Sequence, residues 1–168
     1  MSISMHSASI PVFTKMLGNL LHWLDAAEAH AETRKFDTAN YLGLRLAPDM
    51  LPFVRQIQIL SDTAKGCAGR LAGAELPKWD DNEASLAELK ARVQRTLDFV
   101  GAFTPAQIDG SEDRPIEIPT RSGEPRRFQG ENYLRHFAMP NFYFHLSMSY
   151  ALLRHAGVPL GKADFLGL

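Results

Sequence analysis

Four stretches of this chain repeat apolar residues at intervals of three and four, and that period dictates helices. Residues at i, i+3, i+4 and i+7 lie on one helical face, so each stretch carries a stripe that must be covered. The first stripe is Val12, Phe13, Met16, Leu17, Leu20, Leu21 and Leu24. Ser9-Ile10-Pro11 opens this helix and alanine-rich sequence carries it to about Arg34. The second stripe is Phe53, Ile57, Leu60, Ala64, Cys67, Ala68 and Leu71. It is predicted to start at Pro48, with Pro52 in its first turn, and to end at Gly73. Leu86, Leu89, Val93, Leu97 and Val100 give a third helix. Ser85-Leu86-Ala87-Glu88 fits a capping box at its start, with Asp81 and Asn82 as alternative caps. The fourth helix is predicted from Pro140 to Gly157, with Phe142, His145, Leu146, Met148, Ser149, Leu152 and Leu153 facing inward. Four amphipathic helices around one core make an all-α bundle.

The connections carry their own signals. Residues 36–47 join the first two helices, with a helical turn expected at 39–44. Thr104-Pro105 begins another short turn. Pro115-Ile116-Glu117-Ile118-Pro119 alternates at period two, Arg121-Ser122-Gly123-Glu124 supplies a turn, and Arg126-Arg127-Phe128 supplies a return strand. A small β-hairpin is therefore expected between helices three and four. The last eight residues form a tail in which Phe165 and Leu166 can dock.

At 168 residues the chain is predicted to be one domain spanning 1–168. Its 18 basic and 19 acidic residues balance, which gives no electrostatic footprint for nucleic acid. No apolar run reaches the ~18 residues that read as a membrane span, and the first residues lack the pattern of a signal peptide. The single cysteine, Cys67, excludes an intramolecular disulfide and reads as a buried structural thiol. A soluble cytoplasmic protein is expected. No Walker loop, Rossmann glycine pattern, GxSxG elbow or CxxC pair occurs, so no motif specifies a reaction.

His136-Phe137-Ala138-Met139-Pro140-Asn141-Phe142-Tyr143-Phe144-His145 and Leu152-Leu153-Arg154-His155-Ala156-Gly157-Val158 resemble a bacterial domain-of-unknown-function family. Leu46-Ala47-Pro48-Asp49-Met50 and the closing Gly161-Lys162-Ala163-Asp164-Phe165-Leu166-Gly167 are similar to it too. That family in turn is similar to the DinB/YfiT-like superfamily. The resemblance implies a four-helix up-down-down-up bundle, often a homodimer. It also implies, for many members, a divalent metal held by three histidines, one on helix two and two spaced by four on helix four. Some members are thiol transferases or isomerases that use a low-molecular-weight thiol. The spacing suits an ion because residues four apart share a face, with Cβ atoms roughly 5–6 Å apart.

Counted back from Gly157, His145 falls where the second helix-four histidine belongs. Asn141 takes the place of the first, and helix two has no histidine, with Gln56 and Gln58 near the third position. Amide oxygens are poor ligands for zinc or nickel, so the resemblance implies a degenerate metal site. Asn141, His145 and Gln56 or Gln58 are expected to converge there, as a buried hydrogen-bond network, a small-ligand site or a weak divalent-metal site. Asp49 is expected to cap helix two, or else to bring a carboxylate beside His145. His136 stands at the rim or on the surface. Tyr41, Trp23, Tyr143 and Tyr150 read as core aromatics, and Arg126, Arg127 and Arg135 as a solvated cluster neutralised by Glu117, Glu124 and Glu131. Two functions follow. One is a non-catalytic small-ligand-binding or structural homodimer, whose contact extends from the apolar faces of helices one and four. The other is an enzyme, thiol transferase-like or hydrolase-like, in which His145 is general base or sole imidazole ligand.

Overall fold

The computed structural model describes residues 3–120 and 123–168. In chain order it contains α1 (Ile10–Arg34), a 3₁₀ turn (Thr38–Tyr41), α2 (Phe53–Ala72), α3 (Leu86–Gly101), α4 (Pro105–Ile108), β1 (Pro115–Ile118), β2 (Arg126–Gln129), α5 (Gly130–Tyr133), a π turn (Leu134–Ala138), α6 (Met139–His155) and α7 (Lys162–Leu166). The second stripe is buried throughout, and most of the other three is too; Val12, Leu21, Leu97 and Met148 are half-buried. Phe13 meets Phe142 edge-on at 4.9 Å in the centre of the core.

Cross-helix contacts set the directions. Lys90 on α3 bonds Asp25 and Glu28 near the end of α1, while Gly101 faces Thr14 near its start, so α1 and α3 are antiparallel. Gln56 pairs with His145, and Thr63 with Asn141, so α2 and α6 are antiparallel. Asp62 meets Arg92 and Gly69 lies against Phe99, so α2 and α3 are parallel, which completes the expected up-down-down-up order. Parallel neighbours need a connection as long as the helix it retraces. Twenty helical residues span about 30 Å. The 13 residues 73–85, extended, reach roughly 43 Å.

That connection is pinned along α2. Leu76 packs on Gly69, the Lys65 ammonium lies 4.4 Å from the Trp79 ring centre, and Arg55 bonds Asp81 at 2.5 Å. The central pin is Arg92 of α3, a residue only 1% exposed. Its Nη1 donates to Glu83 Oε1 at 2.8 Å and to the Asp80 carbonyl at 3.1 Å. Its Nη2 reaches Asp81 at 2.9 Å and Asp62 at 3.3 Å. One guanidinium thus ties α2, the connection and α3 together. Burial alone would raise the Glu83 carboxyl, but hydrogen bonds from Arg92 and Gln58 outweigh it and hold Glu83 below its ordinary value.

Two boundaries differ from expectation. Helix two starts at Phe53 rather than Pro48; Pro52 is its cap position, with no side-chain cap. Helix four does not start at Pro140. The helix begins ten residues earlier, at Gly130, and passes through the π turn. Proline lacks an N–H and its ring crowds the carbonyl four residues back, here His136, and the widened π turn accommodates both. The expected Ser85 capping box opens α3, so Asp81 and Asn82 are not caps. The hairpin pairs Ile116 with Phe128 and Glu117 with Arg127. Arg121 and Ser122 of its expected turn lie outside the described residues. In the tail, Phe165 stacks on Trp23 at 5.3 Å, whereas Leu166 remains 40% exposed.

Gly130 allows the hairpin to enter the helix, because a Cβ there would collide with the Ser111 carbonyl oxygen. Gly130→Ala is expected to cost about 1–3 kcal/mol in urea denaturation. Arg92→Met leaves the carboxylates without their buried partner and is expected to cost about 3–5 kcal/mol. Because the Glu83 carboxyl is depressed, its contribution is complete above its unfolded value and fades as pH falls through the folded one. Arg92→Met should therefore flatten the acid limb of the stability–pH curve; an unchanged limb contradicts this coupling.

Candidate functional site

The polar candidates sit where α2 and α6 cross. Gln56 and Gln58 differ by two residues, or roughly 200° around a helix, so only one can face α6. Gln56 does. Its Nε2 donates to the Leu51 carbonyl at 2.9 Å and its Oε1 lies 2.7 Å from His145 Nδ1. Gln58 turns the other way, donates to Glu83 at 2.8 Å and accepts from Arg55 at 2.6 Å. It belongs to the Arg92 cluster and not to the His145 site.

Asn141 lies one turn before His145, yet its amide donates to Thr63 Oγ1 at 2.8 Å, and Thr63 donates on to the Ile59 carbonyl at 2.7 Å. The two α6 residues therefore make separate rungs to α2. Thr63 was not singled out in the sequence, although it stands seven residues after Gln56 and so on the same face. Ser149 Oγ closes onto the His145 carbonyl at 2.9 Å.

His145 is 7% exposed, and burial lowers its imidazole pKa below the ordinary value. The ring is therefore neutral at pH 7. A carbonyl only accepts, so the NH₂ end of Gln56 must face Leu51. The amide oxygen then faces His145, which must donate from Nδ1. Nε2 is left with its lone pair outward and no hydrogen-bond partner among the described residues. Phe144 meets the imidazole edge-on at 5.1 Å.

The other candidates lie apart. Asp49 sits in an exposed turn and does not cap helix two, and its side chain has no hydrogen bond or ion pair among the described residues, to His145 or otherwise. His136 is exposed in the π turn and lines a polar cavity of about 230 Å³ with Glu112, Asp113, Glu131 and Arg135. A larger cavity of about 540 Å³ adjoins it, lined by Met5, Ala8 and Leu134 and by the shared Glu112, Glu131 and Arg135. His145 lines neither. Trp23 and Tyr41 are core residues, and Tyr150 packs against Trp23. Tyr143 is 36% exposed instead. Arg127 and Arg135 pair with Glu117 and Glu131. Cys67 is fully buried, which drives its thiol pKa far up and removes it as a nucleophile.

The donor set does not fit the metal that the resemblance implies. His145 offers one nitrogen, while the amides of Gln56 and Asn141 are engaged with backbone, imidazole and hydroxyl partners. Among the described residues no three His, Cys, Asp or Glu side chains are grouped to hold an ion. No described helix is long and apolar enough to cross a membrane.

Comparison with known proteins agrees with this architecture. The crystal structure of a DinB family member protein from Shewanella denitrificans matches with a TM-score of 0.88 and 38% identity. The match covers 97% of this chain and 92% of that one. No curated protein matches. The profile of the Domain of unknown function (DUF1993) family matches residues 5–166. The chain is a member of the DUF1993 family, with a DinB-like helical fold.

Proposed function

We propose that this protein is a non-catalytic DinB-like bundle, a small-ligand-binding or structural homodimer in which a degenerate metal site has become a hydrogen-bonded helix contact. The observation that carries the reading is the Gln56–His145 bond. It occupies one imidazole nitrogen and directs the Gln56 oxygen at a proton rather than an ion. Pairing of two copies is supported by the face where α1 and α6 meet. There Pro11, Val12, Met16, Tyr143 and Leu166 line an apolar groove of about 340 Å³.

A second reading rests on the free Nε2. A neutral imidazole with one nitrogen fixed by a hydrogen bond is arranged as a general base. No carboxylate or nucleophile among the described residues bonds it, and this leaves catalysis as the alternative.

Untagged protein purified without chelator should carry no stoichiometric metal by mass spectrometry, even after soaking with zinc, nickel and manganese. A bound transition metal, lost in a folded His145→Ala variant, overturns the proposal and favours the enzyme. Sedimentation at high concentration should show a dimer; an exclusively monomeric mass refutes the pairing. Gln56→Glu should raise the His145 pKa by about one to three units, read by NMR titration, because a carboxylate then faces Nδ1–H. No rise would mean that the two side chains do not touch in solution.

A further inference from the structure

The seam between α1 and α6 is only partly filled, and its open section narrows what a binding bundle would take. We propose that the groove lined by Pro11, Val12, Lys15, Met16, Tyr143 and Leu166 receives a small aromatic carboxylate, its ring against the apolar walls and its charge on the Lys15 ammonium. The inference rests on the binding reading given above and gives that reading a ligand class.

The seam itself shows what shape fits. Phe13 meets Phe142 near the starts of α1 and α6, and Trp23 meets Tyr150 further along, so the two helices run side by side in the same direction. At the level of Trp23, α7 supplies a ring: Phe165 stacks on Trp23 at 5.3 Å and meets Tyr150 edge-on at 5.5 Å. Two α1 side chains hold it there. Trp23 Nε1 donates to the Asp164 carbonyl and Asn19 Nδ2 to the Phe165 carbonyl, both at 3.0 Å. The chain thus closes one section of the seam with an aromatic ring of its own. The groove, with Leu166 in its wall, is the section left open, and its volume of about 340 Å³ is that of a small-molecule site. Met16 and Tyr143 suit a second ring, through sulfur–aromatic and ring–ring contacts.

Charge selects the head group. Residues 137–153 of the α6 side contain no Asp, Glu, Lys or Arg, and Lys15 is the one such residue of α1 before Asp25. The Lys15 ammonium has no ion pair or hydrogen bond among the described residues. The groove is therefore apolar with one uncompensated positive charge, and its complement is an apolar body with one negative charge. A phosphate would bring a second charge with nothing to meet it, and a cation would be repelled. Tyr143 adds a hydroxyl to the same groove, a donor suited to a carboxylate oxygen.

The test is an NMR titration of the ¹⁵N-labelled full chain with phenylacetate, beside phenylacetamide as the uncharged molecule of the same shape. Phenylacetate should shift the backbone amides of Val12, Lys15, Met16 and Tyr143 saturably. It should bind about fivefold more tightly than phenylacetamide, the size of one exposed charge pair, and high salt should erase the difference. Lys15→Met replaces an exposed side chain with an apolar one of similar length, and should bind both probes equally. Equal binding by the unmodified chain, a preference that survives in Lys15→Met, shifts centred elsewhere, or no saturable shift would each overturn the inference. A second copy on this face would cover the groove, so the titration is run where sedimentation shows a single copy. A chain that is paired at every concentration and shows no shift has that copy as its occupant, which also overturns the inference. A monomer that binds phenylacetate upholds it and removes only the pairing. Failure of the non-catalytic reading would show separately, as bound metal or turnover.

Discussion

The arrangement of this bundle depends on one buried guanidinium. Hydrophobic stripes specify that four helices will pack, but they do not specify which neighbours run parallel. Arg92 specifies it, because its two terminal nitrogens find carboxylates on α2 and on the connection that leads back to the start of α3. A reversed α3 would carry Arg92 away from Asp62, Asp81 and Glu83. A buried charge without partners costs several kcal/mol, so that arrangement is strongly disfavoured.

Helix orientation in turn sets the site. With α2 running against α6, Gln56 meets His145 and Thr63 meets Asn141, two rungs across one seam. These rungs occupy the positions where the resemblance places the histidines of a metal centre. Each rung satisfies polar groups that the bundle would otherwise bury unpaired. Among the described residues, Nε2 of His145 has no hydrogen-bond partner.

Much of this was legible in the residues. The stripes gave the helices, the alternation at 115–119 gave the hairpin, and Gly73 and Gly157 marked the ends of α2 and α6, where both adopt positive φ. His145 and Asn141 were found by counting back from Gly157. The choice between Gln56 and Gln58 was not legible, because a start misjudged by a residue or two rotates the face by 100° or more. Pro140 misled for a related reason: proline is a start signal in an ordinary helix, whereas a π turn lets the chain continue through it. Arg92 was not singled out in the sequence, although it stands three residues after Leu89 and four before Thr96, on the buried face. Asp49 showed the limit of a cap signal, since a turn before Pro52 separates it from the helix it was expected to cap.

The central proposal is that Gln56, Asn141 and His145, standing where the resemblance places three metal ligands, form a hydrogen-bonded contact instead. The direct measurement is zinc titration by calorimetry of a Gln56→His/Asn141→His double variant beside the unmodified chain. One zinc per folded chain in the double variant and none in the unmodified protein is the predicted result. Stoichiometric zinc in the unmodified chain, or none in a double variant shown to be folded, would contradict the account.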